Sequence, residues 1–214
     1  MDAFHRPDEG DPEVLSRTPR ITQLGSMAAY VVAAASSVGL VTIGLSMLAG
    51  QPWQTLNDLA LLVLVAALPP LMLSFYELGG WTPTVFAQAA QTVGWASALA
   101  WCGIQVLQLA GVVHIEWREP ATGLFAVGSA ALGYIGVWIN GANLLAGRWL
   151  GRERWLGMPA GLALAVFAAG LLLGGVDSGW ATLGGIGFLI LLPPWALLMA
   201  RLLGRISAGE RFAG

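Results

Sequence analysis

Apolar residues run in six stretches, near 26–49, 57–76, 84–112, 122–146, 156–175 and 183–203, with short polar gaps between them. Crossing a hydrocarbon core of about 30 Å takes a helix of about 20 residues, and each stretch is about that long or longer. The gaps at 50–56, 77–83, 113–121, 147–155 and 176–182 are short, so neighbouring helices are expected as antiparallel hairpins in a compact bundle. The pattern predicts an all-α polytopic integral membrane protein built as a six-transmembrane-helix bundle.

Arginine sets the expected orientation. With the N-terminus cytoplasmic, the inner segments hold Arg6, Arg17 and Arg20, then Arg148, Arg152 and Arg154, then Arg201, Arg205 and Arg211. The outer loops hold only Arg118, a positive-inside bias of nine to one. An even number of spans returns the C-terminus to the same side, so the expected topology is N-in/C-in. Trp53, Trp117 and Trp180 fall at the outer span ends, and Trp81, Trp149 and Trp155 at the inner ends. Interfacial tryptophan belts of this kind mark span boundaries without deciding orientation.

Composition agrees with a membrane class: 57% of residues are hydrophobic, 10% are charged and the mean hydropathy is +0.71, against about 25% charged in a soluble domain. One domain is expected, with residues 26–205 forming the transmembrane part and 206–214 a short cytoplasmic tail. Residues 1–25 read as a disordered cytoplasmic tail, because Asp2, Asp8, Glu9, Asp11 and Glu13 crowd its start. It lacks the basic n-region of a signal peptide, so the first span is expected to stay as an anchor. There is no lysine, which excludes a retinal Schiff base or a pyridoxal phosphate linkage. Cys102 is the single cysteine, so no intrachain disulfide can form, and its place inside the third span suits a packing residue.

Two proline pairs, Pro69-Pro70 and Pro193-Pro194, stand inside the second and sixth spans. Each proline removes an amide donor, so the carbonyls near Val65, Ala66, Leu189 and Ile190 lose their usual helical partners. Helix kinks are expected there, either repacked against neighbours or serving as broken-helix sites near midplane. Trp53-Gln54-Thr55-Leu56 before the second span and Trp180-Ala181-Thr182-Leu183 before the sixth raise the possibility of a duplicated hairpin.

In the fourth span Ser129, Gly133, Gly136, Asn140, Asn143 and Gly147 recur every three or four residues, on one face. In the third, Gln88, Gln91, Trp95, Cys102 and Gln105 form a similar stripe, with Trp101 and Gln108 beside it. Amides are costly in lipid, so these should point inward. Two readings stay open. They are glue between the third and fourth helices, or Gln88, Gln91, Asn140 and Asn143 line a ligand pocket in the cytoplasmic half that opens toward the prolines.

His114, Glu116, Arg118 and Glu119 make an outer charged cluster, read as a solvated loop, since two candidate ligands fall short of a usual metal site. His5 lies in the acidic tail, and one histidine near the spans does not make a bis-histidine haem site. No carboxylate or arginine stands mid-span, and Asp58 and Asp177 are too few for an aspartate-rich synthase site. No acid, base and nucleophile set can be named, which weighs against an enzyme without excluding one. No cofactor, metal or nucleic-acid partner is expected. The expected partners are the lipid bilayer and, within it, other membrane subunits or further copies of the chain.

The inner loop reads Gly147-Arg148-Trp149-Leu150-Gly151-Arg152, then Glu153-Arg154-Trp155-Leu156-Gly157-Met158-Pro159-Ala160-Gly161. It resembles a loop of uncharacterised bacterial multi-span proteins, which continue with a Gly-rich span and a late Pro-Trp span, similar to Pro194-Trp195 here. That resemblance implies a fold type, and a place in a bacterial inner (plasma) membrane, but no activity. The function expected first is a non-enzymatic subunit or scaffold of a membrane assembly. The alternative is a transporter or binding protein for a small molecule or lipid.

Overall fold

A computed structural model of the chain describes residues 12–50, 52–78, 85–113, 120–145 and 154–208, without the side chains of residues 12–19, Met47, Phe86, Leu145 and Arg154. Six helices account for nearly all of them: α1 (Pro12–Ala49), α2 (Trp53–Leu78), α3 (Val85–Leu109), α4 (Gly123–Leu145), α5 (Arg154–Gly174) and α6 (Gly179–Ser207). There is no strand among the described residues. Five helices, α1, α2, α4, α5 and α6, are long and apolar enough to cross a membrane. The chain is thus a helical, multi-pass membrane protein. α3, at 25 residues, is long enough but is not among them, since Gln88, Gln91, Gln105 and Gln108 dilute its aliphatic residues.

α1 starts at Pro12, so residues 12–25, expected as part of a tail, are helical. They have a packing partner at the far end of α6. Thr22 and Ser26 are buried, and the Ser26 hydroxyl donates to the Ala200 carbonyl at 2.8 Å. A methyl on Gly25 would strike the Ser74 side chain of α2, so α1 and α2 run in close contact there. Residues 1–11 lie outside the described part.

The helices close a ring in chain order: each packs on the next, and α6 returns to pack on α1. Its ends differ. At one, called here the termini end, α1 begins and α6 finishes, and Arg20, Arg201 and Arg205 lie there. At the other, the mouth end, tight turns join α1 to α2 and α5 to α6. Gly50 and Gly175 stop their helices in the left-handed conformation (φ 64° and 69°), which costs glycine nothing. Their amides donate back to the Ser46 and Leu171 carbonyls at 2.9 and 3.1 Å.

Large side chains fill the termini half of the ring. Phe75 of α2 and Trp195 of α6 stack with centroids 6.0 Å apart at 27°. Met72, Ile135, Ile139 and Met199 are fully buried in the same half. Phe75 and Trp195 each follow a proline pair on their own helix, and neither helix is interrupted at its pair.

Candidate functional site

The small face of α4 meets α5 and α6, with α3 on another side. A Cβ on Gly136 would lie 2.5 Å from the Gly161 carbonyl oxygen, so the α4 and α5 backbones are in direct contact. At that distance no side chain fits between them, and neighbouring polar groups are brought onto the partner backbone. Asn140, with its nitrogen toward an acceptor and its oxygen toward a donor, donates to the Met158 carbonyl (2.7 Å) and accepts from the Leu162 amide (3.3 Å). Asn143 is fully buried; its nitrogen donates to the Ile139 carbonyl at 2.8 Å, and its oxygen accepts the Trp195 indole N–H at 3.0 Å. Gly157 of α5 lies against this pair, and any side chain there would collide with both partners.

The α3 amides are divided among different surroundings. Gln88 is exposed on the outside of the bundle. Gln91 is half-buried, and both its amide atoms are enclosed without a hydrogen-bond partner among the described residues. The structure therefore brings Asn140 and Asn143 onto α5 and α6, while Gln88 and Gln91 stay on α3 and bond neither of them. α3 instead docks on α4 through two reciprocal pairs, Gly94 under Trp138 and Gly128 under Trp101, with Tyr134 donating to the Ala90 carbonyl at 3.0 Å.

A partly open cavity of about 310 Å³ occupies the mouth half of the ring, on the other side of the prolines from the Phe75–Trp195 stack. None of Gln88, Gln91, Asn140 and Asn143 lines it. The termini half, where Asn140 and Asn143 stand, is filled by Phe75, Trp195, Met72 and Met199. The cavity wall is apolar, with Leu64, Leu68, Leu132, Leu164 and Phe188 among its residues. Val65 and Leu189 also line it; their carbonyls lack the usual donor four residues on, because Pro69 and Pro193 have no N–H. So the cavity meets both proline pairs from the mouth side.

The polar lining is concentrated near the mouth. Gln54, Asn57 and Asp58 come from the first turns of α2, Ser46 from the last turns of α1, and Gln105 from α3. Asn57 accepts the Thr42 hydroxyl at 3.5 Å, and the Ser46 hydroxyl is turned to the Ile43 carbonyl at 2.8 Å. Asp58 is half-buried and has no hydrogen-bond or ion-pair partner among the described residues. Gln105 is only 2% exposed, and its Oε1 has no partner either. A polar rim over an apolar floor suits a molecule with one polar end, and the volume falls within the range of small-ligand sites.

These cavity residues are not the ones the sequence singles out as a pocket. Gln105 is legible within the α3 stripe, and Gln54 and Asp58 stand four apart on one face of α2. What the chain does not display is that α2 and α3 direct them into one space. The outer cluster of His114, Glu116, Arg118 and Glu119, the inner loop around Arg148 and Arg152, and His5 lie outside the described residues. Among the described residues no group of three or more metal-ligating side chains comes together. No family model matches the chain, and no curated protein or solved structure is significantly similar to it.

Proposed function

We propose that this chain is a membrane-embedded binding protein, or carrier, for a small molecule or lipid segment held in the cavity of the mouth half. One observation carries the reading. Six helices surround about 310 Å³ of space that is apolar inside and polar at the rim. Packed protein interiors leave few voids larger than a water, so a space of this size inside a ring of leucines suits an occupant. In the same proposal all six helices cross a bacterial plasma membrane, N-in/C-in, which places the mouth on the outer side. The arginine distribution supports that orientation.

The test is native mass spectrometry of the full chain released from mild detergent. A retained small molecule is expected, and Leu164→Trp, which puts an indole into the cavity, should remove it. A wild-type protein that retains nothing, and whose behaviour toward added lipid matches that of Leu164→Trp, would sink the proposal.

A second reading, a subunit or scaffold, is favoured by α3. Its outward face carries Gln88 and Trp95 beside Leu99 and Val106, and nothing lies within 4 Å of where a Gly103 side chain would be. A face of mixed amide, indole and glycine suits another helix better than lipid. Here the same spectra should report a stoichiometric partner or a defined homo-oligomer, and a monodisperse monomer counts against it.

A further inference from the structure

The cavity's polar groups say what kind of polar end an occupant would carry. Asp58 lies five residues from the start of α2 and Gln105 four from the end of α3, so both stand about 6–8 Å below the mouth at about 1.5 Å per residue. An unpaired carboxylate half-withdrawn from water is unfavourable, and the most effective relief is a partner cation that also donates hydrogen bonds. No described side chain supplies one. The chain has no lysine, and the described arginine side chains, Arg20, Arg201 and Arg205, are at the termini end.

The surroundings have the same sign. The described residues at the mouth end carry two carboxylates, Asp58 and Asp177, and no arginine or lysine side chain. Clefts with one sign of charge and low-dielectric walls concentrate ligands of the opposite sign. Gln105 adds a second acceptor, since its Oε1 has no partner among the described residues and its side chain is almost wholly buried. Below these groups the wall is apolar, leucines with Trp101, Phe167 and Phe188 among them. The volume equals that of about ten water molecules at about 30 Å³ each, so a head group and a chain of seven or eight carbons fill it.

Resting on the binding reading above, we propose that the cavity takes a small cationic amphiphile of the alkylammonium class. Its ammonium pairs with the Asp58 carboxylate and donates to Gln105 Oε1. Its chain lies among Leu64, Leu68, Leu132 and Leu164, toward the proline pairs. Specificity then comes from the head group, which only a donor-rich cation satisfies, while the leucine wall accepts any slender chain of the right length.

Thermal unfolding of the full chain in an uncharged detergent, titrated with octylammonium, octanol and octanoate, tests this. Leu164→Trp serves as the blank for ligand dissolved in detergent. The expected result is saturable stabilisation by octylammonium, half-maximal at about ten- to hundredfold lower concentration than octanol, the range of a charge-assisted hydrogen bond. Octanoate should bind no better than octanol. In Asp58→Asn the preference for ammonium over octanol should vanish while octanol binding persists, and Gln105→Leu should weaken octylammonium more than octanol.

If octylammonium and octanol are equivalent in wild type, the head-group assignment is overturned and the cavity reading survives. A preference for octanoate overturns the cationic assignment in the same way. If none of the three acts differently on wild type and Leu164→Trp, the binding reading itself falls and takes this inference with it. Should Asp58→Asn not fold, the comparison of the three probes on wild type decides alone.

Discussion

At the scale of single residues, the most constrained contact joins three helices: Gly157 of α5 lies under the hydrogen bond from the Trp195 indole to Asn143. A buried neutral hydrogen bond contributes about 0.5–1.5 kcal/mol, but leaving one partner orphaned costs about 1–3 kcal/mol. The Gly157→Ala methyl overlaps both partners, so they must separate or the helices must part. We expect it to destabilise the protein by about 1–3 kcal/mol, the usual range for overpacking, read as a lower thermal midpoint in detergent. Gly141→Ala on α4 is the control, because a Cβ there meets nothing within 4 Å. It should leave the midpoint unchanged or raise it slightly, since alanine is the better helix former. Equal midpoints for the two variants would refute the account of this contact.

At the scale of elements, α3 is the helix held least firmly. It presents Gln88, Trp95, Leu99 and Val106 outward, contacts α4 through two glycine–tryptophan pairs, and encloses Gln91, Gln105 and Gln108 oxygens that have no described partner. Enclosed polar atoms without partners weaken the helix that carries them, and local opening follows such weakness. Hydrogen exchange in detergent should therefore run about tenfold or more faster along the middle of α3 than along the middle of α2, a difference of about 1.4 kcal/mol or more in opening free energy. Equal protection would show that α3 is an integral wall. The helices themselves were legible from the apolar runs, because length and composition decide them. Their facing was not. The α4 stripe reads equally well as glue toward α3, and only ring closure turns Asn143 toward Trp195, a residue 52 positions away. The cavity is hidden for the same reason: it belongs to the space between helices, and Asp58 and Gln105 carry no mark in sequence of facing it together.

At the scale of the whole molecule, the ring is polar along its axis in two senses. Its termini half is filled by aromatic and methionine side chains, while its mouth half holds the cavity. Its termini end gathers Arg20, Arg201 and Arg205, while the described residues of its mouth end carry Asp58 and Asp177 and no arginine. If the positive-inside bias governs insertion, these asymmetries coincide, and the cavity opens away from the cytoplasm. Cysteine labelling separates the alternatives. In a Cys102→Ala background, Asp177→Cys puts a thiol in the exposed turn between α5 and α6 at the mouth end, and Ala208→Cys puts one just past α6 at the termini end. A membrane-impermeant maleimide applied to intact cells should label the first at once and the second only after permeabilisation. The opposite pattern would invert the topology and turn the mouth toward the cytoplasm, where a carrier would load its ligand from inside. The six-helix ring, with both ends of the described chain at one pole, predicts that no condition short of unfolding makes the two thiols reactive from the same side.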